Sequence, residues 1–369
     1  MAGAALPAPP FSIDTGETMN VHGGNIFATA RALGCEVQDL IDMSSNLTPM
    51  DMVPGLREVL VQGLEQIAFL PETESETLRG LFARKFQLRE EEVLVGNGTT
   101  EFIFALPHLF AGSRAIIVNP TYSDYRLACG WAKVPASDFM LPPEQDFRLD
   151  LERLAGEFQG GELVFICNPN NPTGALTPSA ELYDFILRHP ATSFLVDESY
   201  LPFTREKSLL RYDLPPNLFV LFSSSKIYGI PGLRLGFLVA GTANLQSMNL
   251  QRKPWGVNRM AQLAGQYLLE HADPYVEMVR QFIERERPLF VDLLQRMNNI
   301  RVIPGAANFV LCCLKGEMSA AELREKMLEK RVMIRNCASF AGLDEHYFRM
   351  SLKSREANVY CLNVLQDIL

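Results

Sequence analysis

"SFLVDESY", residues 193–200, is a short apolar run that stops abruptly on an acid and a tyrosine. Three other stretches share its form: "RAIIVNP" (114–120), "ELVFICNPN" (162–170) and "LFVLFSSS" (218–225) are apolar until they end in turn-forming or polar residues. Unbroken apolar runs of this length, without alternation, are how strands covered on both faces of a parallel sheet read. Helical periodicity between them, as in "LTPSAELYDFILRH" (176–189), predicts the covering helices. The middle of the chain is therefore predicted to be an α/β sheet. Its polar strand ends collect along one edge, where open α/β sheets bind ligands.

Working outward, "VPGLREVLVQGLEQI" (53–67) and "SETLRGLFARKFQL" (75–88) carry apolar residues at three-to-four spacing and predict amphipathic helices. "EVLVGNG" (92–98) predicts a short strand entering a glycine turn, with a helix through "TEFIFALPHLF" (100–110). A long helical stretch from about Val257 to Met297, broken near Asp273-Pro274, leads to a C-terminal part. There, short strands ("RVIPGAANFVLCCL", "RVMIRN", "YFRMSL") mix with helices ("SAAELREKMLEKR", "EANVYCLNVLQDIL"). This pattern predicts a smaller α+β domain over 276–369, a large α/β domain over 51–275 and an N-terminal arm over 1–50.

Composition narrows the function classes. The 369 residues carry a net charge of −9, which argues against a broad nucleic-acid-binding face. No segment reaches the roughly 18 uninterrupted apolar residues of a membrane span. "MAGAALPAPPF" has neither the basic start nor the apolar core of a signal peptide, so a cytoplasmic location is expected. Seven cysteines without a CxxC, and five scattered histidines, predict neither a disulfide framework nor a metal site.

Four strand-end motifs bear on chemistry. In "VGNGTTE", Gly96 and Gly98 precede a helix start whose Thr99 and Thr100 N–H groups could cradle a phosphate or simply belong to a capped turn. "NPNNPTG" (168–174) presents Asn171 in a proline-fixed loop, or is a plain turn. Asp197 could cap a helix or hold a protonated ring nitrogen, with Tyr200 approaching the same ligand. In "FSSSKIYGIPGLRLG" (222–236), Lys226 follows three serines and precedes Arg234 by eight residues, a grouping suited to an anion beside a lysine.

In this order the motifs resemble those of the fold-type I aminotransferase superfamily, the pyridoxal-phosphate enzymes, over nearly the whole chain. Ser223 three residues before Lys226, and Arg234 after it, match the family's S-x-x-K and downstream arginine. The resemblance implies pyridoxal 5'-phosphate as cofactor and Lys226 as its Schiff-base lysine. Ser223, Ser225, Arg234, Thr99 and Thr100 would surround its phosphate, and Asp197 would hold the pyridinium proton. Asn171 and Tyr200 would bond its phenolic oxygen, and Tyr122, in "NPTYSDY", would stack on the ring. A homodimer with its site at the subunit boundary is also implied.

Within the superfamily, "HGGN" (22–25), "IDMSSNLTPM" (41–50), "PWGVNRMAQ" (254–262) and "IRNCASFAGLDEHYFRMSLK" (334–353) resemble the threonine-phosphate decarboxylases of cobalamin synthesis. That implies decarboxylation of L-threonine O-3-phosphate to (R)-1-amino-2-propanol O-2-phosphate. Arg349 would fork the α-carboxylate, and Arg335, with His22, Gly23, Gly24 and Asn25 and with Asn46 nearby, would bind the substrate phosphate. Asn171 would also face the substrate. The alternatives are a histidinol-phosphate-type aminotransferase, a decarboxylase of another phospho-amino acid such as phosphoserine, and a protein that binds the cofactor without catalysis. Two departures bear on the substrate. Leu70, in "FLPET", stands where relatives carry a tyrosine that reaches the partner subunit's cofactor, and Thr48 replaces the second asparagine of SxNxNP.

Overall fold

The structure is a computed structural model, and it describes residues 24–250 and 252–369. A two-residue strand, β1 (Ile41–Asp42), precedes seven strands that form the large sheet: β2 (Val93–Asn97), β3 (Ala115–Asn119), β4 (Ala136–Met140), β5 (Leu163–Cys167), β6 (Ser193–Asp197), β7 (Leu218–Ser223) and β8 (Leu235–Ala240). Their spatial order is β2-β8-β7-β6-β5-β3-β4. Only the two pairings of β8, with β2 and β7, are antiparallel, so the sheet is mainly parallel.

Alternate residues of these strands supply two separate cores, as the two-residue strand period requires. Phe165, Leu195, Phe219 and Leu238 enter one, while Val164, Phe194, Val220 and Phe237 enter the other. Burial of each such phenylalanine contributes roughly 1.5–3 kcal/mol of transfer free energy. Because both faces are covered, the strands read as continuous apolar runs.

The helices form where periodicity predicts them, with breaks that have local causes. Leu56–Gln62 ends at Gly63 and continues as a 3-10 turn, Leu64–Ala68. Thr99–Ala105 tightens to 3-10 geometry at Leu106–Phe110, where Pro107 removes an N–H. The long helical stretch divides at Ala272 into Arg259–His271 and Asp273–Gln295, with Pro274 in the first turn of the second helix, where its missing N–H costs nothing.

The C-terminal part contributes β9 (Ile300–Val302), β10 (Phe309–Leu314), β11 (Val332–Met333), β12 (Arg335–Asn336) and β13 (Tyr347–Ser351). Four of them form an antiparallel sheet in the order β12-β13-β10-β9, flanked by helices Ala320–Glu329 and Arg355–Ile368. The fifth, β11, pairs in parallel with β1. That pairing, with the bonds from Ser351 N to Met43 O and from Asn308 Nδ2 to Leu47 O, fastens the 41–47 segment to the small sheet. No helix among the described residues is long and apolar enough to cross a membrane.

Candidate active site

The carboxyl ends of β5, β6 and β7 point to one place, because register sets Cys167 opposite Asp197, and Asp197 opposite Leu221. A cavity of about 150 Å³ opens there, lined by Thr99, Thr100, Tyr122, Asn171, Asp197, Tyr200, Ser223, Ser225, Lys226 and Arg234. All ten residues expected at the cofactor line it, with Tyr125, Cys167, Ser199 and Ile103 beside them.

The cavity is polarised. At one end, Gly98 adopts φ +74°, which an L side chain resists, and a Cβ there would lie 2.6 Å from Arg234 Nη2. Arg234 donates to Thr100 Oγ1 at 3.4 Å and to Pro231 O at 3.3 Å. A Cβ on Gly236 would fall 2.5 Å from the Thr99 nitrogen, so the β8 backbone lies directly against the helix start. The first-turn N–H groups, the serine hydroxyls and a guanidinium make this end a donor set for an anion.

Asp197 supplies the opposite character. It is buried and accepts bonds from Tyr125 Oη at 2.8 Å and from the Ser199 N–H at 2.9 Å. Burial, reinforced by Asp197, raises the Tyr125 hydroxyl well above its ordinary value, so the phenol stays a donor. Lys226 lies between the two ends. Burial, then the Arg349 and Arg234 charges, lower its ammonium to about 8, against a smaller opposing pull from Asp197. A substantial fraction is therefore unprotonated and nucleophilic near neutral pH.

A second cavity of about 170 Å³ continues from the first through Tyr122, Asn171, Tyr200 and Lys226, and adds Ser44, Asn46, Arg335 and Arg349. Arg349, buried on β13, donates through Nη1 to Asn171 Oδ1 and through Nη2 to Ser44 O at 2.8 Å, and sits 5.3 Å over the Phe309 ring. Its Nε, and Oδ1 of buried Asn46, have no hydrogen-bond partner among the described residues. Unfilled hydrogen-bonding capacity at that depth marks a ligand position. Asn46 Nδ2 donates to Tyr200 Oη at 3.3 Å, and burial raises that hydroxyl to about 12.

A third cavity, about 420 Å³, shares Ser44, Arg335 and Ser339 with the second and includes Gly24, Asn25 and Arg324. Arg335 donates to Ser339 Oγ at 2.9 Å, and burial together with the Arg349 and Arg324 guanidiniums pulls it below its usual range. Asn25 also caps the helix Ile26–Leu33 by accepting from Ala28 N at 3.1 Å. His22 and Gly23 lie outside the described residues.

Several contributors escaped the sequence reading. Tyr125 holds Asp197, and its signal was its place three residues after Tyr122 in the same motif. Arg324, one turn into the helix Ala320–Glu329, reads as an ordinary surface charge, and only folding brings it near Arg335. Of the two departures, Thr48 is buried behind the site: its N–H donates to Lys226 O at 3.0 Å and its hydroxyl pairs with Tyr275 Oη at 3.2 Å. It braces the lysine segment. Leu70 is 74% exposed and lines none of the three cavities.

A lysine between a guanidinium-lined anion cradle and a buried carboxylate, at the strand ends of a mainly parallel sheet, fits pyridoxal phosphate, with its dianion at one end and its ring nitrogen at the other. Fold and site together define a fold-type I pyridoxal-phosphate-dependent enzyme. The chain belongs to the aminotransferase class I and II family, whose sequence model matches residues 38–365. It is 32% identical to the threonine-phosphate decarboxylase of Salmonella typhimurium over 95% of this chain and 97% of that protein. Among solved structures, it resembles the L-threonine-O-3-phosphate decarboxylase of Porphyromonas gingivalis (TM-score 0.81, 29% identity, 89% and 99% of the two chains). It is as similar to the histidinol-phosphate aminotransferase of Clostridium acetobutylicum (TM-score 0.83, 25% identity, 89% and 99%).

Proposed function

We propose that the protein decarboxylates L-threonine O-3-phosphate, giving (R)-1-amino-2-propanol O-2-phosphate. The observation that carries this reading is the pair of separate cationic positions beyond Lys226. Arg349 stands nearer the lysine, and Arg335 with Arg324 stands farther out, in cavities that share Ser44 and Ser339. An α-carboxylate suits the first position and a phosphate dianion the second, since guanidinium groups bind both geometries. Both similar decarboxylases carry threonine phosphate in their names, which supports the same substrate here.

Bound pyridoxal phosphate supplies an electron sink conjugated to the substrate Cα. Ser223, Ser225, Arg234 and the Thr99 and Thr100 turn would hold its phosphate, and Asp197, oriented by Tyr125 and Ser199, would keep a proton on its ring nitrogen. Tyr200 and Asn171 would bond the phenolic oxygen, and Tyr122 would cover a ring face. Arg349 would hold the carboxylate and so set the direction of the bond to be broken. Arg335 and Arg324 anchor the distal phosphate, which limits rotation about Cα. The carboxylate would leave as CO2, and Lys226 Nζ, its ammonium lowered to about 8 by burial and the nearby guanidiniums, would return a proton to Cα.

The holoenzyme should release CO2 from O-phospho-L-threonine while the cofactor stays in its aldehyde form. CO2 from O-phospho-L-serine instead would keep the chemistry and change the substrate. Conversion of the cofactor to its amine by glutamate or histidinol phosphate, with no CO2, would sink the decarboxylase reading in favour of a transaminase.

A further inference from the structure

The turn after β1 is held by side chains from one strand and its exit. Ser44 O accepts from Arg349 Nη2 at 2.8 Å; Ser45 O accepts from Ser351 Oγ at 2.7 Å and from Lys353 Nζ at 3.2 Å. Met43 O takes the Ser351 N–H at 2.8 Å and its hydroxyl at 3.2 Å. Inside the turn, the Asp42 carboxylate accepts from the N–H and hydroxyl groups of Ser44 and Ser45 at 2.6 to 3.2 Å. Three consecutive carbonyls thus face β13 while the carboxylate fixes the turn from within. Of the clasping groups, Ser351 and Lys353 line none of the three site cavities, and of these two Lys353 is the one that can carry a charge.

We propose that Lys353 is a positioning residue: by holding Ser45 O it fixes the Ser44 carbonyl, and through it the tilt at which Arg349 meets a substrate carboxylate. Arg349 has one guanidinium end on Asn171 and the other on Ser44 O, so a shift of the turn rotates the fork. The tilt of the guanidinium sets how well it matches a carboxylate, so the clasp bears on substrate affinity. This inference rests on the assignment of Arg349 to the carboxylate.

A second consequence is electrostatic. Lys226 is faced by the cations Arg349, Arg234 and Lys353 and by the anion Asp197, with Tyr122 and Tyr200 at the same cavities. Lys353 is buried, which pulls its ammonium below the usual range against the Asp42 carboxylate, and its charge bears on Lys226. Removing it makes protonation of Lys226 easier.

The test compares wild type, Lys353→Met and Lys353→Arg in two measurements. In the first, apoprotein captures pyridoxal phosphate across pH, with borohydride trapping the Lys226 adduct. The wild-type midpoint lies near 8, and K353M moves it upward by roughly half a pH unit, while K353R leaves it in place. In the second, steady-state kinetics of the holoenzymes with O-phospho-L-threonine give a KM raised about tenfold in K353M with kcat changed by less than about threefold, and K353R near wild type. If K353M keeps both the midpoint and the KM, or if K353R is as impaired as K353M, the proposal falls. If wild type turns over no phosphothreonine, the substrate assignment fails alone, because the capture midpoint still reads Lys353.

Discussion

Glu198 follows Asp197 directly, yet it faces away from the cofactor cavity. It is 1% exposed, accepts from the Leu209 N–H at 2.8 Å and from the Ser208 hydroxyl, and burial raises its carboxyl to about 7. An unfolded Glu ionises near 4.5, so between that pH and about 7 the folded protein holds a proton that the unfolded chain has released. The stability linked to that proton is complete below the lower value and is lost as pH rises through the upper one, by up to roughly 3 kcal/mol. Glu198→Gln can keep an acceptor for Leu209 and removes the titration. Denaturant unfolding at pH 5 and pH 8 should show E198Q gaining on wild type at the higher pH. A difference that is the same at both values would show that Glu198 is not protonated in the fold.

At the scale of elements, the cofactor cradle depends on backbone closeness more than on any one side chain. The helix Thr99–Ala105 begins hard against β8, and the turn before it is fixed from behind: Glu101 accepts from the Asn97 N–H at 2.6 Å and from Arg252 Nε at 3.0 Å. Gly236→Ala would push a methyl into the Thr99 backbone and displace the helix start. Fluorescence titration should show pyridoxal-phosphate affinity weakened at least about tenfold, or about 1.4 kcal/mol, alongside the roughly 1–3 kcal/mol loss of stability expected of overpacking. Retained affinity would mean that the cradle tolerates the shift. The four parallel strands that end in motifs were legible because each is a buried run closed by polar residues. β8 was not, since its apolar run follows the Lys226 motif so closely that the stretch read as site alone. β4 escaped because an edge strand, with Ser137 and Asp138 exposed, has no apolar run to see. Cofactor residues adjacent to strand ends were readable for the same reason, whereas Arg324 and Lys353 acquire meaning only from packing between distant segments.

For the molecule as a whole, one short segment carries a run of exposed large apolar residues. Val61, Leu64, Ile67, Phe69 and Leu70 are between 53% and 74% exposed, within ten residues of chain. Apolar surface in water is a cost that association removes, and a second copy of the chain is the partner we propose for this segment. In such a contact Leu70 would add apolar area at the position where the family resemblance implies a tyrosine. Sedimentation of the wild type should give a homodimer whose dissociation constant rises by about a hundredfold or more in a Phe69→Asp, Ile67→Asp double variant, because charges buried in an apolar contact carry a large desolvation cost. The substitutions lie on exposed side chains, so the fold of each subunit should survive, visible as unchanged circular dichroism. Leu70→Tyr provides the complementary arm, and tighter cofactor binding in that variant would place residue 70 across the subunit boundary from a cofactor phosphate. A double variant that sediments as a dimer with wild-type affinity would move the contact elsewhere and leave this apolar segment without a partner.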